Sequence, residues 1–254
     1  HITDDEVGQT AENFNIMAGK ICSQMETLEN AAKEKQNFID NFSHEMRTPL
    51  TAISGYAQYM LSAQVTDEEY YSTLRIIAGQ AKRLLNLADS MLNLTLMQNN
   101  KIEFEKINLK NLLENIPFPK IENIGFDIKC PGDIFIFGNE TLIESLVINL
   151  VNNRFNACKA DQKENHKVTV EGKSIKGYVI LSVEDNGVGM NRETLANVSR
   201  PFYRRDVARS RKNGGAGLGG SIIQKIVDLH RAKLQYFSKP GQGTRAEIIF
   251  TTLK

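Results

Sequence analysis

Apolar residues recur at alternating steps of three and four from the first residues of the chain. Val7, Ala11, Phe14, Ala18, Ile21, Met25, Leu28 and Ala32 share one phase. It runs through Lys35 into Ile39, Phe42, Met46, Pro49, Ile53, Tyr56 and Met60. This is the seam of a helix packed in a coiled coil or bundle, and the absence of a stutter predicts one long helix through residue 44. The polar stretch 62–69 breaks the pattern. Thr66 or Asp67 is placed to cap a second helix, with acids in its first turn. Leu74, Ile77, Ala81, Leu84, Ala88 and Met91 then resume the spacing. Two antiparallel helices of this kind cannot bury their stripes alone, so two copies are expected to pair into a four-helix bundle, making a homodimer.

Around Gln98-Asn99-Asn100-Lys101 the periodicity stops, and short apolar runs separated by turn residues begin. Strands are predicted at Phe126–Cys130 and Ile134–Phe137, flanking the turn Pro131-Gly132-Asp133. A helix through Leu142, Leu146, Leu150 and Val151 follows. Val168–Lys173 and Tyr178–Val183 read as a hairpin around Lys176-Gly177. Ile222–Leu229 reads as a helix, and Lys233–Phe237 with Arg245–Phe250 as closing strands around Gly241-Gln242-Gly243. The fold class is therefore multidomain, α and α+β: a helical hairpin that dimerises, then an α/β sandwich with one helical layer on a mixed sheet.

The 254 residues suffice for two domains that each bury a core. Charge narrows the field. A formal net charge of +1 gives no bulk attraction to nucleic acid or lipid headgroups. No apolar run is long enough to span a membrane, and no secretory signal is present. Cys22, Cys130 and Cys158 have no paired spacing, which suits a reducing compartment and structural thiols. His1, His166 and His230 lack ligand-like spacing and read as surface or packing residues.

His44 is different. With Ile39 and Met46 at the a positions of the seam, His44 falls at f, farthest from the partner, so its ring is expected to face water. An exposed neutral imidazole is a competent nucleophile, and Glu45 beside it can fix its tautomer and take up the ring proton. Pro49 frees the carbonyl of Glu45 and predicts a bend just after the pair. Downstream, Asn149 and Asn153 lie one helical turn apart, where two amide oxygens can ligate a hard cation beside phosphates. Glu184-Asp185-Asn186-Gly187-Val188-Gly189-Met190 leaves a strand on glycines that admit a ligand close to the backbone. Asn213 to Ser221 is glycine-rich and leads into a helix whose free N–H groups make a phosphate cradle. Between them lie Arg204, Arg205, Arg209, Arg211 and Lys212, a basic loop expected to close over a polyphosphate.

His44-Glu45-Met46-Arg47-Thr48-Pro49-Leu50 resembles the H-box of sensor histidine kinases, and the later motifs resemble that family's N, G1, F and G2 boxes in order. The resemblance covers nearly the whole chain and implies a catalytic domain of the GHKL or Bergerat type. It implies that His44 accepts the γ-phosphoryl group of ATP, that Glu45 assists, and that Thr48, in an Glu45-x-x-Thr48 spacing, orients water in a phosphatase reaction. Asn153 then binds Mg²⁺, Asn149 assists at the phosphates, and Asp185 accepts a hydrogen bond from the adenine amino group. Gly187, Gly189, Phe202, Tyr203, Arg204, Arg209, Gly215, Gly217, Leu218 and Gly219 complete the implied nucleotide site. The implied partner is the receiver domain of a response regulator, whose aspartate takes the phosphoryl group.

The stretch Asp4 to Met17 resembles the second helix of a HAMP linker. On this reading residues 1–30 are a HAMP-like signalling helix, 31–99 the dimerisation and phosphotransfer domain, and 100–254 the ATP-binding domain. The whole protein would then sit on the cytoplasmic side of the cell membrane with membrane segments towards its N-terminus. Arg154, Asn156, Arg205, Val207 and Gly220 depart from the residues the family usually carries, Arg154 standing where a small residue is typical. These departures bear on ATP affinity, and the alternative they open is an impaired kinase serving as a dimeric regulator-binding scaffold or phosphatase.

Overall fold

The computed structural model describes residues 6–99, 102–161, 164–203 and 217–251. The chain divides after Thr48 into two compact units. Helix α1 (Glu6–Ser62) carries the long seam and contains Pro49. Towards the N-terminus its apolar stripe is uncovered within one chain, Phe14 being 63% exposed and Leu28 69%, whereas Phe42, Met46 and Ile53 are half-buried and Pro49 is buried. None of the described helices is long and apolar enough to cross a membrane.

Helix α2 (Asp67–Asn99) starts where the polar break predicts. Thr66 Oγ1 accepts the Glu69 N–H at 3.3 Å while the Glu69 carboxylate accepts the Thr66 N–H at 2.9 Å. Two donors at the helix start are thus satisfied reciprocally, as a capping box requires. Within one chain Thr73 and Leu87 of α2 are buried, Ile77, Ala81, Leu84 and Met91 of the predicted stripe are half-buried, and Leu74 and Ala88 are exposed. The apolar arc of α2 is wider than one stripe: one edge is covered within the chain, and Leu74, Leu85 and Leu92 are left on the open edge.

After α2 come β1 (Glu105–Asn108), α3 (Leu109–Asn115), β2 (Ile124–Lys129), β3 (Phe135–Gly138), α4 (Glu140–Lys159), β4 (His166–Ile175), β5 (Tyr178–Asp185), α5 (Arg192–Asn197), α6 (Gly219–Leu229), β6 (Lys233–Ser238) and β7 (Thr244–Thr251). A mixed five-stranded sheet has the order β2-β4-β5-β7-β6, with β2 parallel to β4 and the remaining pairs antiparallel. The strands flanking Pro131-Gly132-Asp133 do not pair with each other. β3 pairs with β1 in a separate two-stranded sheet.

The predicted hairpin forms: Lys176 (φ 48°) and Gly177 (φ 85°) make the two-residue turn between Ile175 and Tyr178. Positive φ at both positions matches the right-handed twist of the strands. Along β7 Thr244, Ala246, Ile248 and Phe250 are buried in strict alternation, and α4 and α6 supply Leu146, Leu150, Ile223 and Ile226 to the same core. Asn108, Asn139 and Asn191 cap α3, α4 and α5 by accepting the N–H three residues on.

His230 is a packing residue, as its isolation in sequence suggests. Its ring stacks on Phe104 at 4.8 Å, Nδ1 donates to the Ile226 carbonyl at 2.7 Å, and Nε2 accepts the Asn139 N–H at 3.1 Å. Both nitrogens are committed to the neutral tautomer, and burial holds the imidazole below its ordinary pKa. The folded state therefore binds this proton more weakly than the unfolded chain does. Stability from this site is present above the ordinary histidine pKa and is lost as pH falls through it. Thermal melts between about pH 7.5 and about pH 5.5 should show the transition falling on acidification, and falling less in His230→Asn.

Candidate active site

His44 is exposed on α1, as its outward phase predicts, and Glu45 beside it is half-buried. One turn on, Thr48 is exposed and its hydroxyl donates to the His44 carbonyl at 3.2 Å. A hydroxyl bonded back to its own helix lies on the same face as the histidine.

Asp185 ends β5, where the inward positions run Val179, Leu181, Val183, Asp185. The alternation of the strand thus delivers a carboxylate to the apolar face. There Oδ1 accepts the Gly187 N–H at 2.8 Å. The glycine turn after Asp185 docks on α4: a β-carbon on Gly187 would lie 2.7 Å from the Ala157 carbonyl. Burial pushes the Asp185 carboxyl above the usual carboxylate range, and Arg154 and the Gly187 N–H pull it back.

Arg154 belongs to the buried stripe of α4, with Val147, Leu150, Val151 and Cys158. Its Nη1 donates to Asp185 Oδ2 at 3.1 Å, in a pair whose side chains are 5% and 0% exposed. Its Nε is buried without a partner. The sequence places Arg154 beside Asn153, where a small residue is typical, and gives no sign of this pairing taken alone. Beneath it Cys158 is buried, its thiol raised to about 11 chiefly by desolvation, which makes it inert near neutral pH.

The amide pair and the start of α6 converge. A β-carbon on Gly219 would lie 3.1 Å from Asn149 Oδ1 and 3.7 Å from the side-chain amide of Asn153. The Asn149 amide nitrogen donates to the Ser145 carbonyl at 2.8 Å, which turns its oxygen towards that glycine. The α6 N-terminus has no side-chain cap, Leu218 beside it is buried, and Gly217 lies at φ 74° with its carbonyl accepting the Phe202 N–H at 2.8 Å. Phe202 and Tyr203 are half-buried, and Gly189 is buried in the turn after Asp185. Arg204, Arg209 and Gly215, with Arg205 and Val207, lie outside the described residues. Nothing in the structure explains Asn156.

Gly220 is explained. A β-carbon there would lie 2.0 Å from the Val198 carbonyl oxygen. The close approach of α6 to the residue after α5 requires glycine. Gly220→Ala would gain about 1 kcal/mol of helix propensity. The forced backbone shift outweighs this, so denaturant melts should show a net loss of about 1–2 kcal/mol.

Two family models match the chain. Residues 34–100 match the His Kinase A (phospho-acceptor) domain, and residues 138–254 match the histidine kinase-, DNA gyrase B- and HSP90-like ATPase. The chain belongs to the histidine kinases, a phosphoacceptor helical region followed by an ATPase domain of that fold. Sensor histidine kinase YkoH of Bacillus subtilis is 30% identical over 98% of this chain and 53% of its own length. Sensor histidine kinase YclK of the same organism is 25% identical over 95% of this chain and 52% of its own. The chain thus spans about half the length of these relatives. A crystal structure of the histidine kinase ThkA in complex with the response regulator protein TrrA matches with a TM-score of 0.66 at 22% identity. It covers 91% of this chain and 67% of that one.

Proposed function

We propose that this chain is an ATP-dependent protein-histidine kinase whose own His44 takes the γ-phosphoryl group. The observation that carries the reading is the exposed imidazole of His44 at the outward position of α1. A ring nitrogen attacks the γ-phosphorus, the bond to the β–γ bridging oxygen breaks, ADP leaves, and Glu45 accepts the ring proton. Asp185 reads the base, while the free N–H groups of α6 with Gly217, Leu218 and Gly219 hold the phosphates. Asn153, with Asn149 assisting, fits Mg²⁺ because both amides face Gly219 and offer hard neutral oxygen donors. When bound, Mg²⁺ neutralises charge on the polyphosphate. The test is incubation with γ-labelled ATP: the purified chain should take up label that survives alkali and is released by acid. Label that is acid-stable, or none at all, overturns the reading.

The exposed stripes of α1 and α2 support a homodimer, since Phe14, Leu28, Leu85 and Leu92 need a second copy to cover them. A response regulator as phosphoryl acceptor is supported by the complex of the ThkA structure. The resemblance of residues 4–17 supports a HAMP-like segment, and with it a membrane-associated whole protein acting on the cytoplasmic side. The Thr48 hydroxyl, on the face of His44, is assigned to orienting water in dephosphorylation of the regulator. Thr48→Ala should slow that reaction about 10²-fold or more and leave autophosphorylation unchanged. Unchanged dephosphorylation removes the assignment.

One observation favours a second reading. Asp185 already has a cationic partner in Arg154, which suits a nucleotide-impaired protein acting as a dimeric scaffold or phosphatase. Calorimetric titration with a non-hydrolysable ATP analogue separates the two, because the scaffold binds none.

A further inference from the structure

We infer that Arg154 is an internal competitor for the base site and sets the affinity for nucleotide. The inference rests on Asp185 being the residue that reads the base. Two hydrogen bonds already serve Asp185, from the Gly187 N–H and from Arg154 Nη1. Its side chain has no exposed surface. An amino group arriving from a purine must therefore displace a group that covers it.

Of the two donors, one cannot leave: the Gly187 N–H is fixed by a turn pressed against the Ala157 carbonyl. Arg154 is a long side chain on one hydrogen bond to this carboxylate, with its Nε buried and unpartnered. It is the incompletely satisfied member of the cluster and the one with rotamers to use. It is also adjacent in sequence to Asn153, so its displacement is felt where the phosphates are expected. Arg154 thus acts on the base through Asp185, as an affinity-determining residue and not a catalytic one.

The test compares wild type with Arg154→Ala and Arg154→Met by calorimetry, each checked for folding by a thermal melt. The probes are a non-hydrolysable ATP analogue with Mg²⁺, and Mg²⁺-tripolyphosphate, which lacks a base. Removing the competitor should tighten analogue binding about ten- to a hundredfold, the equivalent of one charge-assisted hydrogen bond. Tripolyphosphate affinity should stay the same, a pattern that a general change in folding would not give. Met retains bulk without charge, so tightening in both variants assigns the effect to the guanidinium. Analogue binding that is unchanged or weaker in both variants overturns the inference, as does equal tightening of tripolyphosphate. Asp185→Asn placed in the Arg154→Ala chain checks the underlying reading separately. Loss of the gained affinity supports it, and retention shows that Asp185 does not read the base.

Discussion

His44→Gln is expected to take up no label from γ-labelled ATP while binding nucleotide as the wild type does. Glutamine preserves the helix and a polar tip but offers no ring nitrogen to form the phosphoramidate bond. His44 is exposed, so the substitution should move stability by no more than about 0.5 kcal/mol. The loss is then chemical and not structural. A variant that still carries acid-labile label would mean that another residue is the acceptor.

Asp185→Asn has the largest expected effect on stability. Arg154 and Asp185 are both buried, and neutralising the acid leaves a guanidinium without its counter-charge. Breaking such a pair costs about 3–5 kcal/mol, far more than the pair itself contributes over apolar residues. Urea melts should show a loss of that order, and Arg154→Met in the same chain should recover most of it. A loss well below this range, or no recovery in the double variant, would mean that water or another group already compensates Arg154.

Much of the architecture is legible in the order of apolar and polar residues. The α1 seam, the Thr66–Glu69 cap and the Lys176-Gly177 turn are local devices whose chemistry is complete within a few residues. What the sequence does not show depends on partners distant along the chain. In α2 leucines lie on both sides of the predicted stripe, and only the fold decides which edge is covered within the chain. β1, α3 and α5 are short, and their signals are single capping residues, Asn108 and Asn191 among them.

The candidate site divides in the same way. Asn149, Asn153, Asp185 and Gly219 are recognisable from their motifs, but the contact between Gly219 and the two amides needs α4 and α6 side by side. The Arg154–Asp185 pair was accessible in principle. Arg154 falls on the apolar stripe of α4, a charge there needs a buried counter-charge, and Asp185 extends the inward alternation of β5. Gly220 gave no such signal, because the carbonyl that excludes a side chain there belongs to Val198.

The most direct measurement is site mapping of the phosphoryl group. The chain is incubated with ATP, digested at alkaline pH, and its peptides are sequenced by mass spectrometry. A phosphohistidine in the peptide containing His44 is the predicted result. Modification confined to another residue, in a chain that binds nucleotide, would contradict the account.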